Sequence, residues 1–151
     1  MKNAIVRLLA TGLYLGYLPF APGTFGTLWG AAIAYLLKDD PVYAKALMTA
    51  AVFMASVIVS GREAGSTGEK DPSRIVCDEA LGFLVAFFLL PMSAFNLILV
   101  FILFRFFDIL KPYPIGLIER GLKGGLGITA DDAMAGVYAN IAANAVIWLV
   151  K

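Results

Sequence analysis

Long apolar segments, separated by short polar or turn-forming clusters, account for most of the chain. The segments are predicted to form helices over 25–37, 42–60, 75–90, 94–110 and 131–150. A further stretch, 3–18, carries polar residues near one helical face, which is typical of a short interfacial or re-entrant helix. Thr24 precedes the first long segment, in a position to cap it. The glycine- and proline-containing stretches 61–74 and 111–130 are interpreted as loops.

The stretch from 75 to 107 is too long for one straight membrane helix. At 1.5 Å per residue it would extend to about 50 Å, whereas the hydrocarbon core of a bilayer is about 30 Å thick. Residues 91–93 read Pro-Met-Ser and lie near its middle, which favours two helices joined by a tight turn. One long kinked helix is the alternative.

Composition strengthens the membrane interpretation. Apolar residues make up 60% of the 151-residue chain and charged residues only 15%, against about 45–50% and about 25% in soluble domains. Mean hydropathy is +0.83. We therefore predict an all-α integral membrane bundle, a single domain over 1–151, with about four to five transmembrane helices plus the N-terminal interfacial or re-entrant helix. Several spans are shorter than the roughly 20 residues expected, which tilting or packing within an oligomer would accommodate.

Charge and residue usage exclude several classes of protein. A net charge of +1 provides no footprint for nucleic acid. The chain has no histidine, which excludes the Ser-His-Asp triad and the usual zinc sites. Cys77 is the single cysteine, and without a histidine to activate it we interpret it as a small buried residue. Any chemistry therefore depends on carboxylates, Lys, Arg, Tyr, Thr, Ser or a hard metal ion.

Basic residues are distributed unevenly between the two ends of the predicted spans. With five spans, one side carries nine of them: Lys2, Arg7, Arg62, Lys70, Arg74, Arg105, Lys111, Arg120 and Lys123. The other side carries three: Lys38, Lys45 and Lys151. The positive-inside rule assigns the larger set to the cytoplasm. The same topology brings the acids of the candidate site to that side: Asp71, Asp78, Glu79, Asp108, Asp131 and Asp132.

Two acidic pairs lie at the ends of apolar segments. Asp78 and Glu79 are near the start of one predicted helix, where a single acid would complement the helix dipole. Two adjacent acids above a largely apolar segment favour metal ligation instead. Asp131 and Asp132 are predicted to open the last helix, where one of them alternatively serves as the N-cap. Asp132 also begins a stripe of small and polar residues spaced by four, which indicates a helix packed inside the bundle.

Arg105, Asp108 and Lys111 are spaced by three residues and therefore share one face at a helix end. In one interpretation they form an ion pair beside a surface lysine. In the other, Asp108 binds a metal ion while Lys111 and Arg105 hold phosphate oxygens. Pro112 disfavours a helical Lys111, so we expect Lys111 to leave the helix. Thr24 either contacts phosphate or only caps its helix.

Three stretches together resemble the phosphatidylglycerophosphatase A family of bacterial membrane lipid phosphatases. They are LLATGLYLGYLPFAPGTFGTL at 8–28, EKDPSRIVCDEALG at 69–82 and FRFFDILKPYPIGLIERGLKGGLGITADDAMAG at 104–136. They occur in the order and spacing of that family and cover nearly the whole chain. The element D-I-L-K-P-x-P, followed by G-G-x-G-I and D-D-x-x-A-G, is highly specific.

The resemblance implies hydrolysis of phosphatidylglycerophosphate to phosphatidylglycerol and inorganic phosphate with Mg²⁺, at the cytoplasmic face of the bacterial inner membrane. By motif match, the expected catalytic residues are Asp78, Glu79, Asp108, Lys111, Asp131 and Asp132. The residues expected to hold the substrate phosphate are Lys111, Arg105 and Thr24. The expected metal ligands are Asp78, Glu79, Asp108, Asp132 and Asp71. A metal-activated water and an aspartyl-phosphate intermediate both remain open, as does the number of metal ions.

Two other classes of membrane protein share this composition. A small cation-coupled transporter would also gather acids in helices, but near the bilayer midplane rather than at helix ends on one side. A non-catalytic helper subunit would be equally apolar, but would not need six acids on one face. The phosphatase interpretation therefore accounts for more of the sequence than either alternative.

Overall fold

A computed structural model describes residues 2–150 of the protein. These residues form seven α-helices and no strand. The helices are α1 (Lys2–Ala10), α2 (Pro22–Leu36), α3 (Val42–Thr67), α4 (Cys77–Ala86), α5 (Ala94–Leu110), α6 (Ile115–Gly121) and α7 (Gly124–Val150). A short 3-10 helix, Leu15–Tyr17, lies between α1 and α2. Lys151 and the side chain of Lys2, both counted in the charge distribution, lie outside the described residues.

The predicted break within 75–107 is confirmed. α4 ends at Ala86 and α5 begins at Ala94, so the segment forms two helices rather than one kinked helix. Ser93 caps α5 by accepting a hydrogen bond from the amide of Asn96 at 3.1 Å. The side chain of Asn96 in turn donates to the carbonyl of Pro91 at 2.8 Å, which holds the turn against the helix start.

The predicted loops at 61–74 and 111–130 are shorter in the structure than the glycine content suggests. α3 continues to Thr67 through Gly61, and α6 and α7 occupy much of 111–130. Gly61 and Gly125 face each other where α3 and α7 cross, and a Cβ on Gly125 would overlap the carbonyl oxygen of Val57. These glycines therefore permit close helix packing rather than forming loops.

The early start of α7 corrects the position of its two acids. Asp131 and Asp132 lie about two turns inside the helix that begins at Gly124, so neither is an N-cap. Both are buried. The stripe that begins at Asp132 does face the bundle over much of its length: Gly136 packs against α4, and the side chain of Asn140 donates to the carbonyl of Ala86 at 2.9 Å.

The start of α2 is also corrected. Pro22 is its first residue, and Ala21 occupies the N-cap position in a left-handed conformation without a side-chain cap. Thr24 is already inside the helix, and its amide donates to the carbonyl of Ala21 at 2.9 Å. Thr24 is therefore not the N-cap.

α4 is the central element of the bundle. It has only 10 residues, most of them buried, and it packs against α2, α3 and α7. Gly26 and Gly30 of α2 bring that helix against the backbone of α4, because a Cβ on either would meet the carbonyl of Val76 or Ala80 at 2.6 Å or less. Close packing on several sides fixes the direction of α4 and of the acids at its start.

Two helices are long and apolar enough to cross a membrane. They are α3 and α7, with mean hydropathies of 1.9 and 1.6. Only 11% and 22% of their apolar windows are buried, whereas the core helix of a soluble protein would be mostly buried. α2 and α5, with 15 and 17 residues, are shorter. The sequence predicts four to five spans; by length and composition, two helices among residues 2–150 meet the requirement.

Candidate active site

A polar cavity of about 240 Å³ lies where α2 and α4 begin and α5 ends. The first turns of α7 and the segment between α3 and α4 complete its wall. Its charged lining residues are Asp71, Asp78, Glu79, Arg105, Asp108, Lys111, Asp131 and Asp132. Its other lining residues are Ala21, Pro22, Gly23, Ser73, Ile75 and Ile128. The cavity therefore collects residues from every region that the sequence identified as a charged cluster.

Three acids lie close enough together to share one cation. Asp78, Glu79 and Asp132 each offer a carboxylate oxygen, and these oxygens lie within 4.8 Å of one another. Asp78 and Asp132 are buried, with 6% and 4% of their surfaces exposed. Carboxylates at such short range repel one another strongly when water is excluded. The group therefore requires either protons or a cation among the oxygens.

Two basic residues complete the cavity, each beside an acid outside that group. Arg105 donates from Nη1 to Oδ2 of Asp108 at 2.6 Å. Lys111 donates from Nζ to Oδ2 of Asp131 at 2.6 Å. As expected from Pro112, Lys111 is the residue at which α5 ends, with a left-handed φ of 43°. This conformation turns its side chain from α5 toward α7.

Gly23 lets the start of α2 approach the acids. A Cβ at this position would lie 2.5 Å from Oε1 of Glu79 and 2.8 Å from Nη1 of Arg105. Real Cβ atoms essentially never come that close to another heavy atom, so any side chain here would displace one of the two charged groups. Gly23 lines the cavity although the sequence analysis did not select it.

A layer of small polar side chains lies behind the acids, between α3, α4 and α7. Ser56 and Thr129 are fully or almost fully buried, with their hydroxyl oxygens 3.0 Å apart. Cys77 lies beside them, with its Sγ 3.2 Å from Oγ of Ser60 and 3.5 Å from Oγ of Ser56. The thiol is hydrogen-bonded but only partly buried, so its interpretation as a small buried residue is confirmed only in part. The layer links α4 and α7, which carry Asp78 and Asp132, to α3.

Most of the predicted site residues line the cavity, but not all of them. Thr24 is not among the lining residues. Asp71 and Asp108 line the cavity outside the group of three acids, and Asp108 is paired with Arg105. Ser73 lines the cavity although the sequence analysis did not select it. It belongs to the Asp-Pro-Ser turn at 71–73, where a polar turn residue carried no signal beyond turn formation.

The group of three acids fits a hard divalent cation. Oδ1 of Asp78 and Oε2 of Glu79 are buried and have no hydrogen-bond partner within the described part of the chain. Buried acceptors without partners are costly, and a bound cation would satisfy both. The donor set consists of carboxylate oxygens without sulfur or nitrogen, which matches the preference of Mg²⁺, Mn²⁺ and Ca²⁺.

Comparison with known proteins assigns the family. The model of the family phosphatidylglycerophosphatase A matches residues 8–147. The chain belongs to this family. The phosphatidylglycerophosphatase A of Haemophilus influenzae is 36% identical over 138 residues, which cover 90% of this chain and 85% of the relative. That of Escherichia coli is 34% identical over 132 residues, which cover 87% of this chain and 77% of the relative.

A third relative carries a different name. A protein of Bacteroides thetaiotaomicron described as a putative phosphatidylinositol-3-phosphatase is 35% identical over 150 residues, which cover 95% of this chain and 94% of the relative. All three names describe phosphatases of phosphorylated lipids. No solved structure shows significant similarity to the chain. Membership of this family, with the two apolar helices α3 and α7, identifies the chain as a membrane protein.

Proposed function

We propose that the protein hydrolyses the phosphomonoester of phosphatidylglycerophosphate and releases phosphatidylglycerol and inorganic phosphate. The observation that carries the proposal is the close group of Asp78, Glu79 and Asp132 in one cavity with Lys111 and Arg105. A phosphomonoester carries about two negative charges near neutral pH and needs positive charge around it. Family membership supports the choice of lipid.

Mg²⁺ is the proposed cofactor, held by Asp78, Glu79 and Asp132. Asp108 and Asp71 line the same cavity and are the further candidate ligands for this ion or a second one. When bound, Mg²⁺ would supply positive charge that offsets the phosphate oxygens and favours attack at phosphorus. Support for this cofactor comes from the oxygen-only donor set and from the partnerless buried oxygens of Asp78 and Glu79.

Lys111 and Arg105 are proposed to hold the phosphate oxygens. Asp131 and Asp108 orient these two side chains at 2.6 Å before the substrate enters, which lowers the cost of ordering them. Charge-assisted hydrogen bonds from both would strengthen as charge develops on the phosphoryl oxygens and the bond to the glycerol oxygen breaks. Because the chain has no histidine, a carboxylate either accepts the proton of the attacking water or attacks phosphorus itself.

The proposed topology has five crossings of the bacterial inner membrane, with the cavity at the cytoplasmic end. In this proposal α2, α3, α5 and α7 would each make one crossing, and the 10-residue α4 with the segment to Pro91 would make the fifth, inside the bundle. The nine-to-three distribution of basic residues supports the cytoplasmic orientation. α1 would lie in the interface beside the cavity.

Phosphate release by the purified protein tests the function and the cofactor together. In detergent or bilayers containing phosphatidylglycerophosphate, we expect release in Mg²⁺ that stops after EDTA treatment and returns when Mg²⁺ is restored. A chelator selective for zinc should have no effect, because the chain lacks the usual zinc ligands. Full activity after exhaustive EDTA treatment would rule out the proposed cofactor but leave the substrate proposal intact.

A second substrate is favoured by the relative from Bacteroides thetaiotaomicron, whose name specifies phosphatidylinositol 3-phosphate. The same cavity chemistry applies to either phosphomonoester, so contacts with the rest of the headgroup must determine which lipid is the better substrate. Parallel assays with both lipids in the same bilayer distinguish them through kcat/KM. If kcat/KM is higher for phosphatidylinositol 3-phosphate, that lipid replaces phosphatidylglycerophosphate as the proposed substrate.

A further inference from the structure

A buried carboxylate outside the cavity contacts two arginines from different parts of the chain. Glu63 of α3 is 2% exposed, and its Oε1 lies 3.1 Å from Nε of Arg74 and 3.4 Å from Nε of Arg7. Arg7 belongs to α1, and Arg74 to the segment between α3 and α4. One cation is enough to neutralise one buried carboxylate. The group formed by Glu63, Arg7 and Arg74 therefore carries one excess positive charge.

The two arginines keep N–H donors that Glu63 does not use. Each contacts Glu63 most closely through Nε, and their Nη atoms donate no hydrogen bond to any residue that the structure describes. The side chains of Arg7 and Arg74 are 46% and 25% exposed, so both can be reached from outside. Guanidinium groups bind phosphate oxygens through paired N–H donors. Because Glu63 already restricts both side chains, a phosphate would meet a largely ordered pair of donors.

α1 indicates where this junction lies relative to the membrane. Ile5 and Leu9 point away from the bundle and are 59% and 49% exposed, and Leu13 after the helix is 50% exposed. On a surface helix of a membrane protein, such residues enter the boundary between headgroups and acyl chains. Arg7 is part of the same short helix, on the side that faces α3. With α1 in this boundary, the guanidinium of Arg7 would lie at the depth of the lipid headgroups.

We infer that Arg7 and Arg74, held by Glu63, bind the phosphodiester of an anionic phospholipid resident in the bilayer. The occupant is a neighbouring lipid rather than the substrate in the cavity, because none of these three residues lines that cavity. The segment that carries Arg74 also carries Asp71 and Ser73 to the cavity wall. A bound lipid would thus fasten α1 and this segment to the membrane surface. The inference does not depend on the proposed hydrolysis.

The test measures lipid-dependent stability of the full-length protein in nanodiscs. Discs of phosphatidylcholine receive increasing fractions of phosphatidylglycerol, and Tm is followed at each composition. We expect phosphatidylglycerol to raise Tm of the wild type by mass action. The double variant Arg7→Lys with Arg74→Lys should lose most of that rise, because each ammonium still pairs with Glu63 but offers no paired N–H donors.

A matched pair of substitutions keeps the result specific. Arg62→Lys with Arg120→Lys makes the same chemical change at two exposed arginines and should retain the full rise in Tm. If phosphatidylglycerol raises Tm equally in both double variants, the stabilisation is general attraction between charges, and the proposed lipid site is wrong. Inorganic phosphate is also added to discs of phosphatidylcholine alone. If it raises Tm of the wild type but not of the Arg7 and Arg74 double variant, the site binds soluble phosphate and the lipid proposal is wrong.

Kinetics separate a resident lipid from the substrate. In discs without phosphatidylglycerol, the Arg7 and Arg74 double variant should hydrolyse the substrate with an unchanged KM. A raised KM under these conditions would place the substrate itself between the two arginines and would contradict a neighbouring lipid. The stability measurement remains informative even if the protein hydrolyses neither lipid tested, because it requires no turnover.

Discussion

At the scale of single residues, five of the six acids that line the cavity divide into two kinds. Asp78, Glu79 and Asp132 lie together, while Asp108 and Asp131 are each paired with a basic residue at 2.6 Å. The first kind forms the proposed cation site, whereas each acid of the second kind orients a basic side chain, Arg105 or Lys111. This division predicts different consequences for substitution at the two kinds of position.

Asp78→Asn should abolish phosphate release without unfolding the protein. Loss of one metal ligand removes several kcal/mol of transition-state stabilisation, so kcat/KM should fall by about 100-fold or more. In EDTA, Tm should stay the same or rise, because one of three mutually repelling carboxylates is neutralised. The rise in Tm on adding Mg²⁺ should be much smaller than in the wild type. Asp39→Asn, an exposed acid outside the cavity, is the control, and equal Mg²⁺ stabilisation in both variants would contradict the ligand assignment.

Arg105→Gln tests whether the pair with Asp108 serves phosphate binding or only the fold. We expect kcat/KM to fall by about 10- to 100-fold and Tm to decrease, since Asp108 loses its partner. The double variant Arg105→Gln with Asp108→Asn should recover Tm, because both charges are gone, but not activity. Recovery of both Tm and activity in the double variant would show that the pair is structural only.

At the scale of helices, glycine allows the close packing that builds the site. Gly26 and Gly30 bring α2 against α4, and Gly125 brings α7 against α3. α4 and α7, which carry Asp78, Glu79, Asp131 and Asp132, are thereby each held against a neighbour at backbone distance. Gly65 is different, because nothing lies within 4 Å of the position that its Cβ would take.

Alanine substitutions at two glycines should therefore have opposite effects on stability. Gly125→Ala would place a methyl group onto the carbonyl of Val57 and should destabilise the protein by about 1–3 kcal/mol, with a lower Tm. Gly65→Ala, within α3, should stabilise it by about 0.5–1 kcal/mol through helix propensity alone. Thermal unfolding of the two variants and the wild type in the same detergent measures both effects. A stabilising Gly125→Ala would mean that α3 and α7 are not in backbone contact.

At the scale of the whole molecule, all the charged cavity residues lie at one end of the bundle. Lys38 and Lys45 lie beside the segment 88–92, where α4 gives way to α5, and that end lacks the cavity. The proposed cytoplasmic orientation of the cavity requires this end of the bundle to face away from the cytoplasm.

Single cysteines report this orientation in sealed inner-membrane vesicles. On a Cys77→Ala background, Lys123→Cys should react with an impermeant thiol reagent from the cytoplasmic side, and Asp39→Cys from the opposite side. Both positions are exposed and outside the cavity. Reaction of the two cysteines from the same side would contradict five crossings and leave the compartment of the cavity undefined.

Features with a local physical cause could be predicted from the sequence. The all-α class follows from long apolar segments, because a helix satisfies its own backbone hydrogen bonds in lipid. The break at 91–93 and the exit of Lys111 from α5 follow from the restrictions that proline imposes on its neighbours. The charged clusters themselves were visible because acids are rare in such apolar surroundings.

Features that depend on contacts between distant segments appeared only with the tertiary structure. Local propensity favours loops at Gly61 and Gly125, yet both are helical because α3 and α7 gain packing at their crossing. The burial of Glu63 depends on Arg7 and Arg74, which no spacing rule connects to it.

The division of roles among the acids is likewise a tertiary property. Sequence spacing placed Asp108 with Arg105, but the partner of Lys111 is Asp131, twenty residues away and on another helix. Asp132 joins Asp78 and Glu79 across an even longer stretch of chain because α4 and α7 pack side by side. The sequence alone determined which residue types were available for chemistry. The packing of α4 against α2, α3 and α7 decided which of them meet, because only atoms within a few ångströms can share a cation or a phosphate.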